Sequence, residues 1–348
     1  MRPPTIRDVA DRAGVSKSLV SLVLRGSDQV RAEKREAVLR AVRELGYRPN
    51  AAARSLSEQR TLSDSRPRSG GGTPMVGVLL HDLRNPWYVD LLDGLNSLLH
   101  ASGLHMLLAD ARLHRRVGQD PAGPFLDLGA DGLVVVGTLP DPAALETVAA
   151  RMPVVVAAAR EPVPAGVDLV ANDDERGARL VTEHLVGLGH RRIAHLTGYG
   201  AVADLRRRGF EATMRAAGPD HVALVEAGDM TEEGGYRATV RLLARADRPT
   251  AVFAVNDMTA VGVLSAAEEL GLRVPRDLSV VGYDNTGISR LRHVWLTTVD
   301  GAGHEVGRRA ARCLLDRLER PGGEGRLQLA PPVLEVRGTT ARPPVVTG

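Results

Sequence analysis

The sequence predicts an α/β protein carrying a small all-α head at its N-terminus, and three observations lead there. Two short helical patterns joined by Ala13-Gly14-Val15 stand near the start of the chain. Residues 57–74 (SEQRTLSDSRPRSGGGTP) are polar, hold a glycine triplet and two prolines, and mark a domain boundary. Beyond them, short apolar runs alternate with amphipathic segments, the pattern of strands and crossover helices in parallel sheets.

The head is legible residue by residue. Thr5 stands as an N-cap with Asp8 three positions on, a capping-box arrangement that opens a helix over 5–13 before Gly14 breaks it. Ser16 caps the next helix, whose Leu19, Val20, Val23 and Leu24 recur at helical spacing until Gly26. Two such helices around a glycine turn form a helix-turn-helix pattern. A third helix is expected from Ala32 to Leu45, with Val38, Leu39, Val42 and Leu45 on one stripe and Gly46 as its stop. Pro49 then stands where a first-turn proline belongs, ahead of Asn50 to Leu56, a helix too short to be stable alone.

Charge sorts by position. Residues 1–60 hold 13 Arg/Lys against 7 Asp/Glu, whereas the whole chain nets only +3. A basic segment on a mildly acidic body is the footprint of a nucleic-acid-binding head, or else a solvated face.

In the body the strand candidates are MVGVLL, LHMLLA, GLVVVG, PVVVAAA, RIAHLTG, VALVEAG, TAVFAVND and LSVVGYD. Eight or nine strands are many for one open sheet, so two lobes dividing near residue 160 are expected. Ligands in such folds lie at the carboxyl ends of the strands, which directs attention to the polar residues that follow each apolar run.

Other classes are disfavoured. No apolar run approaches the roughly 18 residues of a membrane helix. Charged residues from Arg2 to Lys17 interrupt the N-terminus, so neither a membrane span nor a secretion signal is expected. The lone Cys313, in a helical run from Gly307 to Leu318, reads as packing, and a reducing, cytoplasmic setting is expected. No phosphate loop ending in Lys-Ser/Thr, GxSxG elbow or HExxH occurs, so the chain is not expected to be an enzyme. His190 and His195 have no partner at metal-ligand spacing and read as structural or surface residues; no metal or cofactor is expected.

The segments TIRDVADRAGVS, ELGYRPNAAARSL, GLGHRRIAHLTG, FAVNDMTAVG and LSVVGYDN, taken together and in this order, resemble the LacI/GalR family. The resemblance runs from Thr5 to about Thr340. It implies a repressor-type transcription regulator: a helix-turn-helix in the major groove over 1–48, a hinge helix in the minor groove over 49–56, a linker over 57–74, a two-lobed periplasmic-binding-protein-like domain over 75–340 with parallel sheets, and a tail over 341–348. Its partners would be operator DNA, a sugar-like small-molecule effector and a second copy of the chain in a homodimer. A dimer also follows from footprint, since one helix-turn-helix reads too few bases.

On the DNA side, the candidate residues are Thr5, Ser16, Lys17, Ser18, Ser21, Leu22, Arg25, Asn50, Ala53 and Leu56. Short polar side chains at the start of the second helix suit base edges and phosphates. The family usually has Arg where Leu22 stands and Asn where Arg25 stands, so operator sequence does not carry over. Leu22 offers only apolar contact to a thymine methyl. The SDSRPRSGGG insertion lengthens the linker, and Asp300-Gly301 replaces a common Gln-Pro pair.

For the effector, the resemblance selects Asn85, Trp87, Tyr88, Asp173, Arg206, Met230, Asn256 and Asp284. Asn256 and Asp284 directly follow strands, where they can hydrogen-bond a hydroxylated ligand; alternatively, Asp284 caps a turn. Arg206 is picked out of three consecutive arginines by its place before Gly209-Phe210. Trp87 stacks on a ligand face or belongs to the core. The competing reading is a solute-binding protein of the same two-lobed fold, which would begin with a signal peptide.

Overall fold

The computed structural model describes residues 5–24, 30–45, 74–83, 85–116, 122–137 and 142–344. The expected short helix at 49–56, with Asn50, Ala53 and Leu56, lies outside the described residues, as do Arg25 and the linker up to residue 73. The chain divides into two compact units, residues 1–73 and 74–348.

In the first unit, α1 (Ile6–Ala13), α2 (Lys17–Leu24) and α3 (Ala32–Leu45) enclose Val9, Ala10, Val20, Val23, Val30, Val38 and Ala41. Thr5 and Asp8 close the capping box in both directions, and Gly14 adopts the left-handed conformation (φ 64°) that ends α1. The Ser16 hydroxyl accepts from the Leu19 amide at 3.3 Å, which satisfies one of the free donors at the start of α2. The stripe expected on α3 shifts by one position: Leu39 is 38% exposed, and Ala41 takes its place beside Val38. Helical geometry accounts for this, since 38, 41, 42 and 45 follow the i, i+3, i+4, i+7 face and 39 does not.

The second unit begins with β1 (Met75–Leu80), α4 (Trp87–Ala101), β2 (His105–Asp110), α5 (Ala111–Arg116), α6 (Gly123–Asp127), β3 (Gly132–Val136), α7 (Pro142–Ala149), β4 (Val154–Ala157) and β5 (Asp168–Asn172). It continues through α8 (Asp174–Gly187), β6 (Arg192–Thr197), α9 (Ala201–Ala216), β7 (Val222–Ala227), α10 (Glu232–Leu243), β8 (Ala251–Ala254), α11 (Asp257–Glu269) and β9 (Ser279–Val281). After a 3-10 turn at Gly287–Arg290 come β10 (Thr298–Asp300), α12 (Gly303–Glu319), β11 (Leu327–Ala330) and β12 (Val333–Glu335).

Two parallel sheets result. One has the order β11-β5-β4-β3-β1-β2 and the other β7-β6-β8-β9, while β10 and β12 pair antiparallel. The central strands are covered on both faces by helices, which is why their runs read as continuously apolar: β3 (GLVVV) and β8 (AVFA) are buried throughout.

The lobe division expected near residue 160 falls later, because β5 belongs to the first sheet and the chain then passes to the second sheet at Asn172–Asp174. It returns between β10 and α12 and crosses again between β11 and β12, at Pro331-Pro332. Three crossings therefore join the lobes.

β5 does not show in the sequence as an apolar run because a charged residue, Asp168, opens it. Asp168 is fully buried, receiving the Arg317 guanidinium at 3.0 and 2.9 Å and that of Arg326 at 3.2 and 3.1 Å. Burial opposes its charge, but these hydrogen bonds prevail and hold the carboxyl far below the usual range. The pair fastens α12 and β11 to β5.

Helices α4 and α12 approach backbone to backbone. A Cβ on Gly94 would lie 2.0 Å from the His304 carbonyl oxygen, and one on Gly307 2.0 Å from that of Leu91. Only glycine permits that separation. Cys313, on the same helix, is buried as expected.

Candidate effector site and DNA-binding head

Strand ends from both sheets supply one buried polar cluster. Arg160 follows β4; its Nε donates to Asp174 Oδ2 at 2.6 Å, and its Nη2 also reaches Asn172 at the end of β5. Asp174, the first residue of α8, in turn accepts from Arg206 Nε on α9 at 2.9 Å. Arg206 donates onward to Asp284 Oδ1 at 3.1 Å and to the Val255 carbonyl, and lies 3.6 Å from the centre of the Tyr283 ring. The chain Arg160, Asp174, Arg206, Asp284 thus runs from the ends of the first sheet to the ends of the second.

Electrostatics follow from burial. For Arg206 burial works against the charge, yet Asp284 and Asp174 outweigh it and keep the guanidinium protonated. Burial pushes Asp284 up to about 7 against the pull of Arg206. The four groups balance to no net charge when all are ionised, and they offer both donors and acceptors. Beneath them Asp257 accepts from Thr286 (amide 2.7 Å, hydroxyl 2.9 Å) and Thr298 (hydroxyl 2.6 Å), and burial raises it to about 6.

The remaining expected residues fall into smaller groups. Asn256 caps α11 by accepting from the Thr259 amide at 2.8 Å, and its Nδ2 donates to the Met230 carbonyl at 3.0 Å. Met230 has positive φ (65°) and packs over Gly198 at the end of β6. Trp87 and Tyr88 are buried and meet edge to face at 5.8 Å, and burial pushes the Tyr88 hydroxyl up to about 12. Asn85 accepts from the Trp87 amide at 3.0 Å, a local turn.

Asp173 caps α8 by accepting from the Arg176 amide at 3.0 Å, and it is the neighbouring Asp174 that joins Arg206. Arg160 and Asn172 join the cluster without having been expected. The signal available was a charged residue, Arg160, just after the β4 run and a polar one, Asn172, at the far end of a connection where no strand was assigned.

Both flagged histidines are buried. His190 meets the Thr250 hydroxyl and the Ala341 carbonyl, at 2.8 and 2.9 Å. His195 stacks on Phe253 at 4.5 Å, and burial pushes it down to about 3, so it is neutral. No group of His, Cys, Asp and Glu among the described residues has the geometry to hold a metal ion, and no described helix is long and apolar enough to cross a membrane.

In the head, Thr5, Ser16, Lys17 and Ser18 are exposed, at the N-terminal ends of α1 and α2. Ser21 and Leu22 are half-buried, and Leu22 packs against the head core, which leaves it less surface for a base than its sequence position implied. The Thr5 hydroxyl is engaged with Asp8 at 2.7 Å.

Residues 5–50 match the family model described as bacterial regulatory proteins, lacI family, and residues 182–340 match a periplasmic binding protein-like domain. The HTH-type transcriptional repressor PurR of Erwinia tasmaniensis is 32% identical over 97% of this chain and 98% of its own. This chain belongs to the LacI family. The regulator CelR of Thermobifida fusca is 36% identical over 91% of this LacI-family chain and 92% of its own length.

Among solved structures, the lac repressor dimer bound to operator and the anti-inducer ONPF matches this LacI-family chain over 98% of its length. That match covers 100% of the repressor chain, at TM-score 0.78 and 29% identity. A CelR–cellobiose complex matches over 97% of this chain and 99% of its own, at TM-score 0.68 and 31% identity. The helix-turn-helix match, together with relatives that are regulators, separates this LacI-family protein from the solute-binding proteins that share its body. It is a DNA-binding transcriptional regulator and not an enzyme.

Proposed function

We propose that this protein is a cytoplasmic repressor that binds a palindromic operator as a homodimer and changes its affinity when an uncharged, hydroxylated effector occupies the space between the lobes. The observation that carries the effector reading is the Arg206–Asp284 pair at the strand ends, 3.1 Å apart, in a cluster whose charges cancel. A charged ligand would find no uncompensated partner there, whereas sugar hydroxyls both donate to and accept from such groups. The cellobiose complex of CelR and a ribose-bound LacI-family regulator from Enterococcus faecium fit this ligand class.

On the DNA side, the exposed Ser16, Lys17 and Ser18 at the start of α2 read the major groove, and Arg25, Asn50, Ala53 and Leu56 complete the contact. The dimer reading draws support from the dimeric lac repressor and from the exposed Leu108 on edge strand β2 and Val222 and Val225 on edge strand β7.

The test is a thermal-shift screen of cellobiose, ribose, nucleosides and purines, followed by operator titration with any compound that raises Tm. The reading requires a sugar to shift operator affinity in the wild type and Asp284→Ala to lose that response while still binding operator. A response confined to purines, or one untouched by Asp284→Ala, rejects it.

A further inference from the structure

Asp284 and Asn285 are consecutive non-glycine residues in the left-handed region, with φ of 103° and 50°. Such a turn persists only where its surroundings over-determine it. Here they do. The Asp284 amide donates to the Val299 carbonyl at 2.8 Å. The Asn285 side chain is held from two sides: Oδ1 accepts from Arg337 Nη2 at 2.6 Å, and Nδ2 donates to Asp300 Oδ2 at 3.1 Å.

Asp300 ends β10, where the chain leaves for α12 and the first sheet. Its other oxygen, Oδ1, accepts from the Ala302 amide at 2.7 Å, and Ala302, itself left-handed (φ 57°), is the N-cap of α12. On the far side of this crossing lies Trp87: a Cβ on Gly303 would come within 3.2 Å of its indole nitrogen. One unbroken path therefore leads from Asp284 through Asn285 and Asp300 to the start of α12.

We propose that Asn285 is a positioning residue that ties the Asp284 turn to the β10–α12 crossing through Asp300, so that a displacement of Asp284 is passed to α12 and Trp87. The link itself is independent of ligand identity; its use in switching rests on the reading of Asp284 as an effector contact. Asp300 carries the link because it is bifunctional, one oxygen serving the second lobe and the other the first turn of a helix packed on the first.

The test uses the full-length protein without ligand, in a Trp295→Phe background so that Trp87 is the sole indole. Asn285→Gly keeps the left-handed backbone and removes the side chain. It is expected to speed amide exchange across residues 298–306 by about tenfold and to shift Trp87 emission. Asn285→Asp sets two carboxylates against each other and should act likewise, whereas combining it with Asp300→Asn restores a donor–acceptor pair and should return both readouts to wild type.

The proposal is overturned if Asn285→Gly alters exchange only at 282–286, or if the exchanged pair behaves like Asn285→Asp alone. Should Asn285→Gly fail to fold, the comparison of Asn285→Asp with the exchanged pair decides by itself. Failure of the effector reading shows up separately, as an Asp284→Ala protein that keeps its ligand response.

Discussion

Arg206 and Asp284 meet at 3.1 Å with side chains only 5% and 8% exposed, and Arg206 is shared with Asp174, which is wholly buried. Removing one partner of such a pair leaves the other charge buried without compensation. Arg206→Ala is expected to cost about 3–5 kcal/mol, read from urea unfolding of the full-length protein. A loss below about 1 kcal/mol would show that solvent already reaches the cluster.

Stability should fall as pH rises through the range where Asp257 titrates. Its folded value of about 6 lies above that of an unfolded aspartate, so the folded state holds the proton more tightly. The contribution is fully present below about pH 4, declines up to about pH 6 and is level beyond. Asp257→Asn, which keeps the shape and removes the ionisation, should flatten the dependence of the urea midpoint between about pH 4 and about pH 7. An unchanged slope would assign the effect to Asp284, whose titration extends it to about 7.

Thr5 acts through helix α1 before it acts on DNA. Its hydroxyl and amide both engage the Asp8 carboxylate at 2.7 Å. Thr5→Ala should therefore cost about 1 kcal/mol of local helix stability, seen as faster exchange of the α1 amides without DNA. A variant that exchanges normally yet binds operator more weakly would make Thr5 a direct DNA contact instead.

Lys17 is exposed at the start of α2. As a phosphate contact, its replacement by Ala should weaken binding to operator and to unrelated DNA about equally, and lower the slope of log affinity against log salt by about 1. If Lys17→Ala instead relaxes sequence preference with the salt slope intact, the lysine reads a base.

The head was legible because its signals are local: a cap and its partner three residues apart, a glycine that stops a helix, an apolar stripe of one period. The central parallel strands were legible for a related reason, since burial on both faces leaves an apolar run that polar residues terminate. β5 and its neighbour β11 were not. β11 is a short edge strand with exposed positions, and in β5 Asp168 breaks the apolar character while the compensating Arg317 and Arg326 lie about 150 residues away, beyond any local pattern.

The same distance problem hid half of the buried polar cluster. Arg206 and Asp284 were selected by the family resemblance, but Asp173 and Asp174 are adjacent acids of equal sequence appearance. Only the start of α8 separates them: Asp173, as N-cap, turns back on the Arg176 amide, and Asp174, one residue into the helix, points at Arg206.

The glycine contact between α4 and α12 has a mechanical side. With Gly94 against His304 and Gly307 against Leu91, the two backbones touch at these points and no change of rotamer can relieve a tilt of one helix there, so a displacement of α12 at Ala302 is expected to carry α4 with it.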